Sequence, residues 1–145
     1  MAYIPKDAKW YIAELVMEFQ IEGDLRNVVH VNLVLIRADS PEEAFEKAEQ
    51  LGREAEDTYK NPDNLTVTVT YRGLRELNVI HDDLEHGAEL IYEQKVGVCE
   101  DQLQAMLTSK SELAIFRPWQ PKDSSVPDYT SKDVMEEVKR YMEFS

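Results

Sequence analysis

The chain has few of the residues that build the commonest functional motifs. Its 145 residues include one cysteine, Cys99, and five glycines. A single cysteine cannot form an intramolecular disulfide, which favours a reducing compartment, and it excludes a Cys-x-x-Cys redox pair. The glycines form no G-x-G or P-loop arrangement and flank no serine elbow, so these phosphate-binding and hydrolase motifs are excluded. We therefore predict no cofactor and favour a protein that is not an enzyme.

Long apolar runs are also absent. The sequence has no apolar run of about 18 residues, the length that a membrane-spanning helix needs. Residues 1–7 contain no apolar core of signal-peptide length. We therefore expect a soluble, cytoplasmic protein.

Positive charge is scarce, because 29 acidic residues outnumber 16 basic ones and give a net charge of −13. A field of this sign repels phosphate backbones and anionic lipids, so we expect the protein to bind neither nucleic acid nor membranes. The same field favours solubility and would suit a basic protein partner. The length fits one domain, and an apolar fraction of 43% is ordinary for a globular protein.

The N-terminal part of the chain reads as a β-hairpin. Lys9 to Glu22 alternates between apolar and polar residues, and Val28 to Arg37 resumes the alternation after the turn at Gly23-Asp24. One face of the first strand is apolar, and the other carries glutamates that we expect to be solvated. This second face is nevertheless predicted to be partly apolar and to need cover, because of five residues: Trp10, Ile12, Val16, Val34 and Ile36.

A capped helix follows the hairpin. Ser40 can accept from free backbone N–H groups, Pro41 is suited to the first helical position, and Glu43 can complete a capping box. An apolar stripe then predicts an amphipathic helix to about Tyr59 that covers one face of a sheet.

Three further strands are predicted, at residues 65–71, 74–80 and 88–96. The element order is therefore β-β-α-β-β-β, an α+β fold with a mainly antiparallel sheet and one helix on one face. We predict a core domain over residues 1–97. Residues 98–145 form a C-terminal extension packed on the core or on a partner subunit, with a short helix near Cys99 and a last helix that begins at Thr130 or Ser131.

Short segments between Trp10 and Tyr92 are similar to a known family. They lie at the first strand, the helix entry, the helix interior, the third strand region and the predicted closing strand: residues 10–15, 37–44, 48–52, 69–77 and 86–92. In these segments the chain resembles an uncharacterised bacterial family catalogued as domain of unknown function 4288. His86 stands where an acid is more typical. The resemblance implies a small α+β protein, implies no activity, and carries over no site residue.

Few residues qualify as candidates for chemistry. His81, Asp83 and His86 are metal-ligand types in one polar loop, but their spacing does not match a helical i, i+4 pair. We therefore predict no metal site and keep these three as weak candidates. His30 could act as a general base, although a strand surface position is the more ordinary interpretation. Cys99 shares a helical stripe with apolar residues, which predicts a small buried side chain.

Two elements of the extension are candidates for protein contacts. Arg117 and Trp119 lie between prolines that hold the chain extended, and both residue types are enriched at interfaces. Val138 and Tyr141 lie on the apolar stripe of the last helix, which is too short to be stable without packing. We expect a homodimer, formed through this extension or through the second face of the sheet.

Three functional hypotheses follow. The first is a non-enzymatic protein-interaction domain with an acidic surface and a protein partner of basic character. The second is a small-molecule binding or regulatory domain, with a pocket between helix and sheet lined by four aromatic residues: Phe45, Tyr59, Tyr71 and Tyr92. The third is a metal-dependent enzyme that uses the loop from His81 to His86.

Overall fold

A computed structural model describes residues 3–121 and 123–143. Its central feature is a four-stranded antiparallel sheet in the order β2-β1-β4-β3. The strands are β1 (Trp10–Ile21), β2 (Val28–Arg37), β3 (Asp57–Lys60) and β4 (Thr66–Val79), and the helices are α1 (Pro41–Glu54), α2 (Glu100–Ala105) and α3 (Lys132–Glu143). The predicted α+β class, with a helix after the hairpin and short helices near the C-terminus, is confirmed.

The described residues form two compact units. One consists of residues 3–90 with 124–143, and the other lies within residues 91–123. The predicted boundary between Gly97 and Val98 would divide the chain differently, since residues 91–97 belong to the second unit and residues 124–143 to the first.

Helix α1 lies on the face of the sheet that alternation in β1 marks as apolar. Ala44, Ala48 and Gly52 form its buried stripe, and their small size allows the helix to approach the strands closely. The buried side chains beneath it come from all three long strands: Tyr11, Ala13, Leu15, Met17, Ile36, Val67, Val69 and Val79. This layer is the hydrophobic core.

The predicted cap of α1 is present. The Ser40 hydroxyl oxygen accepts from the backbone N–H of Glu43 at 3.1 Å. The Glu43 carboxylate reaches back one residue further than a standard capping box and accepts from the N–H of Asp39 at 3.2 Å. Local hydrogen bonding alone therefore defines where this helix begins.

Replacing Ser40 with alanine is expected to lower the free energy of unfolding by about 1 kcal/mol, because the Glu43 N–H loses its acceptor. Ser40→Thr keeps a hydroxyl at the cap and should cost much less. Urea denaturation followed by circular dichroism measures both changes. Equal losses for the two variants would show that the cap does not determine the stability of α1.

The prediction that α1 extends to Tyr59 is wrong. The helix ends at Glu54, and Asp57–Lys60 pairs with β4 as the edge strand β3. Thr58 and Tyr59 have high strand propensity, and pairing with β4 outweighs the weak helical continuation past Gly52 and Arg53.

The number of strands in the second half of the sheet is also corrected. The two strands predicted at 65–71 and 74–80 form one strand, β4. Gly73 adopts a positive φ of 136°, close to two irregularities in the pairing of β4 with β1, so the chain continues through the bulges without a turn. No strand forms at residues 88–96, where Glu89, Glu93 and Lys95 have poor strand propensity.

The alternation of β2 was assigned to the wrong faces. Tyr11 pairs with Ile36 and Ala13 with Val34, so Ile36 and Val34 lie on the α1 face. Residues on the second face of β2 are instead Val29, Val31, Leu33 and Leu35.

The chain before α3 packs on the α1 face of the sheet. The Tyr129 ring contacts those of Phe19 and His30, with centroids 5.3 and 4.7 Å away. The Tyr59 hydroxyl donates to the Tyr129 carbonyl, and the Asn61 amide donates to the Asp128 carbonyl at 3.0 Å. Residues 125–130 therefore complete the core at the end of the sheet that α1 leaves open.

The second unit contains short helical turns. Helix α2 is followed by 3₁₀ turns at Lys110–Glu112 and Ala114–Phe116, and the side chains of these elements are exposed. In the part of the chain that the structure describes, no helix combines the length and apolar character needed to cross a membrane.

Candidate functional site

The outer edge of β2 presents free backbone groups. The N–H of Ala38 donates to the Lys9 carbonyl at 2.9 Å, so even-numbered positions along β2 bond to β1. The alternate residues therefore direct their N–H and C=O groups away from the sheet. We call this row the β2 edge: Val29, Val31, Leu33, Leu35 and Arg37.

The β2 edge differs from the other side of the sheet. There β3 is only four residues long, and it carries two charged residues, Asp57 and Lys60. Short length and charge are both common protections against strand addition. Where β4 continues past the end of β3, side chains accept hydrogen bonds from N–H groups of β4 that point away from β1. Glu56 accepts from Tyr71 at 3.0 Å, and Asn78 accepts from Val79 at 2.9 Å.

The β2 edge has almost no such protection. The Lys47 ammonium donates to the Arg37 carbonyl at 2.7 Å. Among the described residues, no other hydrogen bond reaches the outward backbone groups from Val29 to Leu35. A ten-residue strand is thus open to pairing along most of its length.

Four of the five side chains of the β2 edge are apolar, and three of these four are exposed on the second face of the sheet. Leu33 and Leu35 are 54% and 47% exposed, and Val29 is exposed to a similar extent. Exposed apolar side chains beside unpaired backbone are the features that strand addition buries and satisfies together.

The rest of the second face is mixed, since Ile12 is buried on it, Trp10 and Val16 are partly buried, and two glutamates form ion pairs. The Glu14 carboxylate forms an ion pair with the Arg75 guanidinium at 2.5 Å. The Glu18 carboxylate lies 3.8 Å from the Arg72 guanidinium. Glu14 is buried, which contradicts the expectation of a solvated acidic row. Of the apolar side chains that β1 and β2 place on this face, the exposed ones belong to β2.

A shallow groove of about 250 Å³ runs between β2 and α1. It is bordered by the last residues of β2 and by one flank of the helix: Leu35, Ile36, Arg37, Lys47, Gln50, Leu51 and Glu54. We call this the flanking groove. Side chains of a strand added to β2 that point toward the α1 side would enter it.

Acidic side chains at the ends of the β2 edge are held in their charged form. The hydrogen bond from Lys47 lowers the pKa of Glu43, and the hydrogen bond from Lys9 lowers the pKa of Asp39. At the opposite end, the Arg26 guanidinium lowers the pKa of Asp24. These pairs are exposed, so they define local charge without adding much stability.

Comparison with known families finds one match. The family model described as "Domain of unknown function (DUF4288)" matches residues 10–92, which is more than half of the chain. The chain belongs to the DUF4288 family. The resemblance expected from the sequence is thereby confirmed. Searches of curated proteins and of solved structures each find no match.

The DUF4288 match includes the whole candidate site. Both sides of the hairpin, all of α1 and the flanking groove lie within the matched residues. Residues 93–143 of the described chain lie outside the match, including the interaction candidates of the extension.

The loop of this DUF4288 domain that holds His81, Asp83 and His86 is exposed. His81 and Asp83 border a depression of about 370 Å³, and His86 is not among its lining residues. His81 stacks against Tyr3 with ring centroids 6.2 Å apart. Within the described ranges, no three His, Cys, Asp or Glu side chains are grouped so that they could hold a metal ion.

The four aromatic residues predicted to line a ligand pocket have separate environments. Tyr71 packs against Gly52 of α1, and the Tyr59 hydroxyl bonds to the Tyr129 carbonyl. Phe45 is exposed, and Tyr92 is an exposed residue of the second unit. Burial raises the pKa of the Tyr71 hydroxyl, and the nearby Glu49 carboxylate adds to this shift.

The interaction candidates of the extension are exposed. Trp119 is 63% exposed and Arg117 is exposed in the second unit. In α3, Tyr141 is 77% exposed and Val138 is partly exposed, so the apolar stripe is accessible.

Two other residues differ from expectation. The His30 ring packs between Phe19 and Tyr129 on the α1 face, rather than at an open surface. Cys99 is exposed at the start of α2, where its N–H donates to Gln102, and is not the buried residue predicted.

Sequence reasoning missed the helix flank of the site. Lys47, Leu51 and Glu54 lie beside the buried stripe of α1 at helical spacing, so their common flank was visible in the sequence. Nothing in their spacing indicated that an unpaired strand would lie next to them.

Proposed function

We propose that this domain is a non-enzymatic protein-interaction module that binds a partner polypeptide by strand addition at the β2 edge. The observation that carries the proposal is the open, apolar edge of β2, beside a sheet whose other edge is protected by short length, charge and side-chain hydrogen bonds. Main-chain hydrogen bonds supply affinity in this mode, and alternate side chains supply specificity.

The exposed leucines and the flanking groove support this mode of binding. An added strand would place one set of side chains over Leu33 and Leu35 and the other set in the flanking groove. The ten residues of β2 include no acid, so a strand that pairs here does not lie against the acidic residues that give the chain its net charge of −13. The apolar stripe of α3, in the same unit as β2, offers further exposed side chains for a partner.

A photocrosslinking experiment tests the proposal. The residue at Leu33 is replaced by p-benzoylphenylalanine in the native host cells, and adducts are identified by mass spectrometry. We expect irradiation to link this position to a polypeptide, because the exposed Leu33 side chain would lie against the added strand. The same replacement at Thr68, an exposed residue of β4 on the same face, is the position control.

A pair of second-site substitutions separates backbone pairing from hydrophobic contact. Val31→Pro removes an outward N–H and should abolish the adduct, whereas Val31→Ala shortens the same side chain, keeps the N–H and should retain the adduct. The absence of any polypeptide adduct at Leu33, or equal adducts at Thr68, would contradict the proposal. So would equal effects of the two Val31 substitutions.

A further inference from the structure

We infer that the polypeptide that pairs with the β2 edge is a second copy of this chain, in a two-fold symmetric arrangement. The inference rests on the proposed function and names its partner. It starts from the composition of β2. It contains no acidic residue, and Arg37 is its only lysine or arginine, although the chain as a whole carries −13. Two β2 strands can therefore meet without placing acids opposite acids.

Geometry selects one register. With a two-fold axis at Leu33, every residue of the β2 edge, whose N–H and C=O groups point outward, faces a β2-edge residue of the other copy. Leu33 then faces Leu33, Val31 faces Leu35, and Val29 faces Arg37. The two sheets become one continuous antiparallel sheet, with the apolar side chains of the β2 edge in a single stripe on its second face.

The charges beside the strands favour the antiparallel orientation. On α1, the flanking groove is bordered in order by Lys47, Leu51 and Glu54. An axis at Leu33 places the two Lys47 side chains at opposite ends of the paired strands, because each donates to the Arg37 carbonyl of its own copy. It also brings Arg37 of one copy beside Val29, whose neighbour on β1 is Glu18. A parallel arrangement would place like charges together.

The net charge opposes this association and limits its strength. Most of the acidic side chains are away from β2, and at physiological ionic strength charges more than about 8 Å apart are largely screened. A paired edge with one apolar stripe is a small interface, for which a Kd on the order of micromolar is typical. Added salt should strengthen the dimer, because it screens the repulsion between two chains of −13.

Sedimentation velocity on the purified full chain tests the inference, over about 1 µM to about 1 mM to bracket that affinity. We expect a concentration-dependent dimer whose fraction rises with salt. Leu33→Lys should leave a monomer throughout this range, because it places two ammonium groups at the axis. Thr68→Lys adds the same charge to the same face away from β2 and should leave the dimer unchanged. Circular dichroism checks that both variants are folded.

Cysteine crosslinking gives a second measurement that does not depend on the charged variant. In a Cys99→Ser background, Leu33→Cys should form a disulfide-linked dimer on mild oxidation, since directly opposed residues of a hydrogen-bonded antiparallel pair have Cα atoms about 5.5 Å apart. Thr68→Cys in the same background should remain monomeric.

Three results would overturn the inference. They are a wild-type chain that stays monomeric at all concentrations, a dimer that Leu33→Lys does not disrupt, and a dimer that salt dissociates. The chain could instead be monomeric while position 33 still crosslinks to another protein, and the adduct could be lost in Val31→Pro but kept in Val31→Ala. That result would leave the proposed function intact and refute only the second copy as partner. A monomer without such a crosslink would refute both.

Discussion

Replacing Asn61 with alanine is expected to lower the free energy of unfolding by about 3 kcal/mol, because its buried side chain makes three hydrogen bonds, each worth about 1 kcal/mol, and the substitution removes all of them. Asn61 is 1% exposed and lies in the turn between β3 and β4. Its side-chain oxygen accepts from the N–H groups of Asp63 and Leu65 at 3.0 and 2.9 Å. Its amide nitrogen donates to the Asp128 carbonyl at 3.0 Å.

The position of Asn61 explains the size of this effect. One side chain shapes the β3–β4 turn, where Asn64 adopts a positive φ of 63°, and also anchors the C-terminal segment to the sheet. Loss of the side chain therefore weakens two parts of the core that are 67 positions apart in sequence.

Urea denaturation measures the stability change, and hydrogen exchange reports the segment separately. We expect faster exchange over residues 125–130 in Asn61→Ala, because the Asp128 contact is broken. Asn61→Asp keeps an acceptor for the turn, but it buries a negative charge against the Asp128 carbonyl oxygen, so it should cost at least as much as alanine. Asn32→Ala, at an exposed position of β2, is the matched control and should change stability by less than about 0.5 kcal/mol. A loss below that value for Asn61→Ala would contradict the assigned role.

Replacing Gly52 with alanine is expected to destabilise the protein by about 2 kcal/mol, although alanine favours a helix over glycine by about 1 kcal/mol. A Cβ atom at this position would lie 2.5 Å from ring carbons of Tyr71, which is closer than non-bonded carbons approach. The Tyr71 ring or the helix must therefore move. The cost of that movement outweighs the gain in helix propensity.

A double-mutant cycle isolates the contact between Gly52 and Tyr71. In a Tyr71→Leu background the ring is absent, so Gly52→Ala should become neutral or stabilising. Tyr71→Phe serves as a further control. It keeps the ring, so Gly52→Ala should cost as much in this background as in the wild type. Equal effects of Gly52→Ala in both backgrounds would show that the ring does not impose the glycine.

The same contact fills the space between α1 and the sheet at this position. Helix α1 packs through Ala44, Ala48 and Gly52, and the Tyr71 ring occupies the space that the glycine leaves. Among the aromatic residues predicted to line a pocket, Tyr71 packs on Gly52, the Tyr59 hydroxyl bonds to the Tyr129 carbonyl, and Phe45 is exposed. Residue type alone could not reveal this, because cavities depend on how closely two elements approach.

Elements specified by local interactions were predictable from the sequence. The hairpin follows from alternating residues on either side of a short turn, and α1 begins where Ser40 supplies the acceptor that its first turn needs. The last helix begins at Lys132, close to the predicted start, because Ser131 can serve its first N–H groups. Each of these signals lies within a few residues of the structure that it determines.

Features that depend on pairing between distant segments required the tertiary structure. β2 has apolar residues at both its odd-numbered and its even-numbered positions, so the sequence does not show which set faces the core. Only the register against β1 decided that Ile36 is buried and Leu33 exposed. Asp57–Lys60 became a strand because β4 was available to pair with it. The composition of β2 specified a strand, whereas its position at the edge of the sheet left its backbone free, because hydrogen-bond satisfaction depends on which neighbours the folded chain supplies.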